Sequence, residues 1–343
     1  MTIVALPPRL ARGGVRLRPR SVVVGAATLA AILTLAVLSL GWGTYPVAPD
    51  AVVRALLGGG TPLDTTVVVG WRLPRVLAAV ALGALLAIAG ALFQTVTRNP
   101  LASPDILGLS NGAFTGMLIA LVLVSPSWPA RAAGSLVGCL AASVVIWLLS
   151  YRGGIQGFRL IVVGIGVSAM LASLNTWMLL HVELETAMFA SAWGHGSLNG
   201  VTGDALGGVL LIAAPVALAA FALVPALRQL ELGDDLATAT GVRPHLVRSL
   251  ALLIGVVLVA GATAIAGPIA FVALAAPQIA RRLARSPSLS LTLSGLVGAL
   301  LLLASDAVAQ HLLPVTLPVG VVTVSVGGAY LIVMIVSEIR RRA

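Results

Sequence analysis

The chain has 343 residues, of which 59% are hydrophobic and 9% charged, with a mean hydropathy of +1.07 and a formal net charge of +10. Soluble domains carry about 25% charged residues, so the composition excludes an aqueous globular enzyme and reads as an all-α polytopic membrane protein. All 21 basic residues are arginines, and they fall between apolar runs, where they set topology rather than bind nucleic acid.

One spanning helix takes about 20 residues. The segment 1–21 holds Arg9, Arg12, Arg16, Arg18 and Arg20 and reads as a cytoplasmic basic N-terminus. The apolar stretch 22–40 that follows is too long for a signal-peptide core and is followed by no small-residue cleavage site. It is expected to be an uncleaved first helix, with Trp42 and Tyr45 at the far interface. Runs punctuated by Arg, Pro and Gly then predict helices over about 74–96, 106–124, 132–150, 159–180, 204–224, 247–265, 269–284, 289–307 and 318–338. Cys139 sits in one of these runs as a buried, inert thiol.

Ten spans with both termini in the cytoplasm place 17 of the 21 arginines inside and leave Arg54, Arg72, Arg75 and Arg131 outside. The expected organisation is a single ten-helix unit over 22–338 with a short tail, 339–343. Two connections exceed what topology needs. The outer one, 181–203, has the mixed pattern of a short interfacial helix. The inner one, 225–247, is the most polar stretch after the N-terminus, with two short helical patterns flanking Gly241. A long structured loop in a compact protein is usually functional.

No catalytic signature is present: there is no P-loop, H-E-x-x-H, G-x-S-x-G or Cys/His cluster. The four histidines, His181, His195, His245 and His311, lie far apart in or beside loops and suggest no metal site. The acidic residues also fall in loops or at helix ends, with Asp306 nearest to a span. An ion-coupled carrier needs an embedded relay, so energy is expected to enter from outside the chain, through 225–247. Ala87-Ile88-Ala89-Gly90 recurs as Ala264-Ile265-Ala266-Gly267, which fits either close helix packing or duplicated halves.

The stretch 72–113, RLPRVLAAVALGALLAIAGALFQTVTRNPLASPDILGLSNGA, resembles the iron–siderophore and vitamin B12 ABC-importer permeases (FecCD type). So do LELGDDLATATGV at 230–242 and AGPIAFVALAAPQIARRL at 266–283, and the similarity spans nearly the whole chain. RNPLASPDILG, with the stretch 154–200, looks most like the second permease subunit of ferric-enterobactin importers.

The resemblance implies a type II ABC importer permease of ten helices, paired with a second, related permease around a central pathway. Two ATP-binding subunits dock below it and an extracytoplasmic siderophore-binding protein above it. ATP and magnesium belong to the partners; this chain is expected to carry no cofactor, metal or catalytic residue. Leu232, Gly233, Asp234, Asp235, Ala239 and Gly241 match the ATPase-coupling loop, and Gly241 is expected to turn the chain between two helical pieces. Arg72 and Arg75 resemble arginines that meet glutamates of the binding protein, a role suited to a planar, permanent charge. Asn99 and Leu101 match a turn near the cytoplasmic gate, and Ser168, Ser173 and Asn175 are expected along the pathway. Gln278 and Gln310 depart from relatives that carry His and Arg there. The resemblance points to a catecholate siderophore, with haem, cobalamin or a hydroxamate siderophore as alternative cargoes. An ion-coupled carrier and an integral-membrane enzyme are the rivals from other classes.

Overall fold

The computed structural model describes residues 19–151, 157–286, 288–312 and 315–342. The expectations on Arg9, Arg12, Arg16, Arg18, Arg152 and Ala343 lie outside the described residues. Among the described residues all regular structure is helical. Helix α1 is Pro19–Gly41, α2 is Pro49–Leu56, and α3, Pro62–Thr65, runs through a π-helical turn, Thr66–Arg72, into α4, Leu73–Thr97. Next come α5 (Leu109–Leu123), α6 (Trp128–Ser150), α7 (Gly157–His181), α8 (Leu184–Gly194) and α9 (Gly203–Ala222). The chain continues through α10 (Val224–Glu231), α11 (Asp234–Ala239), α12 (Pro244–Ala266), α13 (Val272–Ala284), α14 (Leu291–His311) and α15 (Val319–Arg342).

Each expected apolar run coincides with a helix, with ends displaced by a few residues. Helix α15 continues to Arg342, past the end at 338 expected for the last span. Local chemistry sets the starts. Prolines occupy the first turn of α2, α4, α6, α10 and α12, where a missing N–H costs nothing. The Thr202 hydroxyl caps α9 by accepting from the Ala205 N–H. The π-turn lies just before Pro74, whose ring cannot accept the regular ladder.

Among the described residues, seven helical stretches are long and apolar enough to cross a membrane: Pro19–Gly41, Pro62–Thr97, Trp128–Ser150, Gly157–His181, Gly203–Ala222, Pro244–Ala266 and Leu291–His311. Helix α4 is the centre, packed against α12, α13 and α14. Gly83 and Gly298 face each other across α4 and α14, so closely that a Cβ on either would overlap the other's carbonyl oxygen. Gly116 and Gly134 bring α5 and α6 together in the same way, as expected where van der Waals packing must drive association in lipid.

The repeated Ala-Ile-Ala-Gly has two different roles. Gly90 lies inside α4 against the Ala273 backbone, whereas Gly267 ends α12 at φ +70°. This favours the packing reading over duplication.

Two segments break the helical pattern inside the bundle. Segment 98–108 joins α4 to α5. Its start lies near Gly157, which abuts Thr97, while Leu107 touches Gly164 and Gly108 touches Ser168. At 1.5 Å per residue along α7, Gly108 is about 16 Å deeper than Gly157. Segment 267–271 joins α12 to α13; it starts where Ser197 N–H donates to Ala266 O at 2.7 Å and ends at Phe271, which adopts φ +69°. Non-helical backbone at membrane depth is tolerated only inside protein or along a watered path, and Ala102, Ser103, Leu107 and Ile269 are buried.

Candidate functional site

The short helices α10 and α11 meet at Gly233, whose φ of +118° suits glycine. The turn between the two short pieces is therefore at Gly233. Gly241, expected to make it, instead turns the chain between α11 and the long α12, at φ +86° with open space around it. The sequence pattern could not separate these turns, because both glycines are bordered by helical residues.

Asp234 opens α11 and binds two arginines from distant parts of the chain. Arg248 on α12 donates to both its oxygens, at 2.9 and 2.7 Å, and Arg98 at the end of α4 donates at 2.6 Å. Arg98 also donates to the Leu230 carbonyl at 2.6 Å. Burial pulls the Asp234 carboxyl upward, but the Arg248 and Arg98 guanidiniums outweigh it and hold the group below the usual carboxylate value. The Thr240 hydroxyl ties back to Gln229 and to the Ala237 carbonyl. Leu232 and Leu236 are 70% and 58% exposed, an apolar surface on an otherwise polar segment. Asp235, Ala239 and Gly241 are exposed beside them.

A polar cavity of about 230 Å³ lies next to this segment, lined among others by Gln94, Arg98, Asn99, Glu231, Gln278 and Arg281. Burial pushes the Glu231 carboxyl upward, against the Leu289 backbone amide, Arg281 and Arg228. Gln278 is not an idle departure: its amide donates to Gln94 Oε1 at 2.6 Å, and Gln94 donates to the Leu274 carbonyl at 3.0 Å, joining α4 to α13. Asn99 turns the chain locally by accepting from the Leu101 N–H at 2.9 Å, and Leu101 is exposed.

Arg72 and Arg75, expected at the outer face, are engaged within the chain. Arg72 donates to the carbonyls of Leu40 at 2.8 Å and Tyr45 at 2.6 Å. Arg75 forms a two-pronged pair with Asp306 at 2.8 and 2.7 Å and also donates to Asn199. Asp306, only 5% exposed, is thus an embedded carboxylate held by a fixed cation. Gln310 has a buried amide nitrogen with no partner among the described residues.

On α7, Asn175 is buried in the chain's own packing. It is 3% exposed and accepts from the Thr115 hydroxyl on α5 at 2.6 Å, and Ser168 accepts from Asn111 at 2.8 Å. Both bond α7 to α5. Ser173 lies on the exposed face, its hydroxyl returned to the Ala169 carbonyl. Among the described residues no group of three His, Cys, Asp or Glu is placed to hold a metal.

Sequence reasoning missed Arg98, Arg248 and Leu236 at the inner site and Asp306 as the partner of Arg75. By position in the sequence, Arg98 and Arg248 read only as topology charges. An excess of arginine near one acidic loop is the signal that was available.

The model of the FecCD transport family matches residues 30–337. The chain belongs to the FecCD transport family. Among its relatives, the ferric enterobactin transport system permease protein FepG of Escherichia coli K12 is 47% identical over 92% of this chain and 96% of its own length. FepD, of the same system and organism, is 35% identical over 92% and 95%. The hemin transport system permease protein HmuU of Yersinia pestis is 34% identical over 79% and 84%. A solved metal-chelate type ABC transporter in an inward-facing conformation superposes with a TM-score of 0.81 at 25% identity, covering 92% of this chain and 99% of its own. As a FecCD chain with seven apolar stretches of spanning length, the protein is a multi-pass membrane transport component.

Proposed function

We propose that this chain is the permease subunit of an ATP-driven importer that carries a ferric siderophore of enterobactin type across the cytoplasmic membrane. The observation that carries the reading is the inner segment 224–243. It exposes Leu232 and Leu236 to a partner while Asp234 anchors it to two long helices of the bundle. A chain with no nucleotide-binding motif needs such a surface to receive work done elsewhere. The cargo follows the end-to-end similarity to FepG.

In this reading the seven long spans are completed to ten by α5, α13 and α15, with both termini cytoplasmic and residues 22–338 forming one transport unit. Leu232, Gly233, Asp234, Asp235, Ala239 and Gly241 receive one of two ATP-binding subunits, and ATP and magnesium stay on those subunits. A second, related permease completes the pathway, with Asn99 and Leu101 near its inner gate and Ser173 on the face turned to it. An extracytoplasmic binding protein delivers the cargo at the outer end, where Arg72 and Arg75 lie; any carboxylate it brings to Arg75 competes with Asp306. The cargo is not chemically changed.

The test is uptake of labelled ferric enterobactin in cells lacking only this chain, with cobalamin and a ferric hydroxamate in parallel. Loss of enterobactin uptake alone is expected, restored by the intact chain and not by Gly241→Pro. Proline fixes φ near −65°, which the +86° turn at Gly241 cannot accept. Loss of a different cargo would move the substrate, and unchanged uptake of all three would overturn the reading.

A further inference from the structure

Helices α1, α13 and α15 converge at one end of the bundle, and arginines make the contacts. Arg20, in the first turn of α1, donates from Nε to the Leu283 carbonyl of α13 at 2.8 Å. Its neighbour on α13, Arg282, lies over the Tyr330 ring of α15, 5.6 Å from the centroid. Arg285 ends the same turn at φ +48°, its N–H donating to the Arg282 carbonyl at 3.2 Å. Arg281 of α13 and Glu231 of α10 line one polar cavity, so this is the end of the bundle that carries α10 and α11.

Helix capping does not use up these side chains. The backbone N–H groups of Arg285 and Ser286 already take the Arg282 and Arg281 carbonyls. Nor are the charges balanced. The four ion pairs among the described residues lie elsewhere: Arg54 with Asp50, Arg75 with Asp306, and Asp234 with Arg98 and Arg248. Arg20, Arg282 and Arg285 therefore bring three guanidiniums to the last turn of α13 with no carboxylate among the described residues. The Tyr330 hydroxyl, on the ring beneath Arg282, is buried with no hydrogen-bond partner among them either. The flank of the cluster is apolar: Val22 and Val23 on α1 and Leu283 on α13 are exposed. Only 11% of the apolar window of α1 is buried against the rest of the chain, which leaves that helix to lipid. Fixed positive charge above an exposed apolar strip is complementary to an anionic phospholipid, headgroup to arginine and acyl chain to helix.

We propose that the ends of α1, α13 and α15 beside the inner segment form a binding site for an anionic phospholipid. Arg20, Arg282 and Arg285 take its phosphate, the group that planar guanidiniums bind with two parallel hydrogen bonds. Tyr330 supplies a neutral donor, and an acyl chain lies along Val22 and Val23. The lipid balances charge that the described part of the chain leaves unpaired and ties the loosely covered α1 to α13. The site goes beyond the importer reading and does not depend on it.

The experiment uses the full chain purified in detergent and stripped of lipid. It is titrated with phosphatidylglycerol or phosphatidylcholine, and bound lipid is counted by native mass spectrometry. Phosphatidylglycerol is expected to bind at least about tenfold more tightly than phosphatidylcholine, because several arginines act on its net charge. Arg282→Gln and Arg285→Gln are each expected to weaken it about fivefold, the attraction of one basic residue for an anionic surface. Arg282→Lys keeps the charge and is expected to keep most of the affinity, which separates lost charge from lost fold. Tyr330→Phe is expected to weaken binding by a smaller factor. Arg159→Gln, at the start of α7 and outside the cluster, is expected to change nothing. Equal affinity for the two lipids overturns the site, as does unchanged binding by both Arg282→Gln and Arg285→Gln. A loss in Arg159→Gln as large as theirs overturns it in favour of general surface attraction. Inorganic phosphate that displaces phosphatidylglycerol at equal concentration overturns it in favour of a free-anion site.

Discussion

Two carboxylates, each paired with arginine, occupy opposite ends of the bundle and do different work. Asp306 keeps 8% side-chain exposure and faces Arg75 at 19%; Asp234 keeps 44% and is shared by Arg98 at 43% and Arg248 at 11%. The outer pair joins neighbouring helices in a site that water barely reaches, so either ion alone would be stranded there. The inner carboxylate is half in water and links three parts of the chain, so its bonds are replaceable one at a time. Burial makes the first a brace and exposure makes the second a joint. The same chemistry, an aspartate with a guanidinium, yields rigidity or mobility according to how much solvent competes for it.

The comparison breaks most readily at the outer pair. Asp306→Ala leaves the Arg75 guanidinium without its carboxylate and is expected to cost about 3–5 kcal/mol, seen as a lower unfolding temperature of the purified protein in detergent. If Asp306→Ala is as stable as wild type, the pair is no brace. Next in size is Gly298→Val, which drives a side chain into the Gly83 carbonyl and is expected to cost at least about 1–3 kcal/mol by overpacking, read by the same melt. Both effects belong to the fixed half of the comparison.

The inner joint should respond in the opposite way. Asp234→Asn is expected to change thermal stability by less than about 1 kcal/mol, because exposed pairs are screened, while cargo moved per ATP drops. Raising salt should weaken coupling in the wild type and leave its melting temperature set by the outer brace, since screening acts on exposed charges first. The smallest effect is with pH. Arginine contacts hold the folded Asp234 carboxyl below its unfolded value. Its contribution is therefore complete above the unfolded value and lost only as pH falls through the folded one. Coupling measured across the neutral range should show no step from this group; a step there would mean that the arginines do not hold it.

Much of the helix order was legible in the sequence because hydropathy and Arg, Pro and Gly punctuation act locally. Pro49, Pro62, Pro74 and Pro244 mark helix starts by their own ring geometry. The inner segment was legible too, as the polar stretch 225–247. Its internal turn was not, because Gly233 and Gly241 look alike until the ends of α11 are fixed by packing. Asn175 illustrates the same limit on a spanning helix. A polar residue in an apolar run signals a partner, but whether that partner is a pathway or Thr115 on α5 depends on how the helix is rotated.

The sequence by itself determined that this chain is a membrane protein, where its helices lie and which family it resembles. Each of these follows from composition or short-range pattern. Only the tertiary structure decided that Asp234 joins Arg98 to Arg248 and that Asp306 takes Arg75. Those pairs are separated by 14 to 231 positions where they form hydrogen bonds. No local rule selects one arginine among 21 for a given carboxylate; the choice is made by helices that glycine contacts bring close enough for side chains to reach.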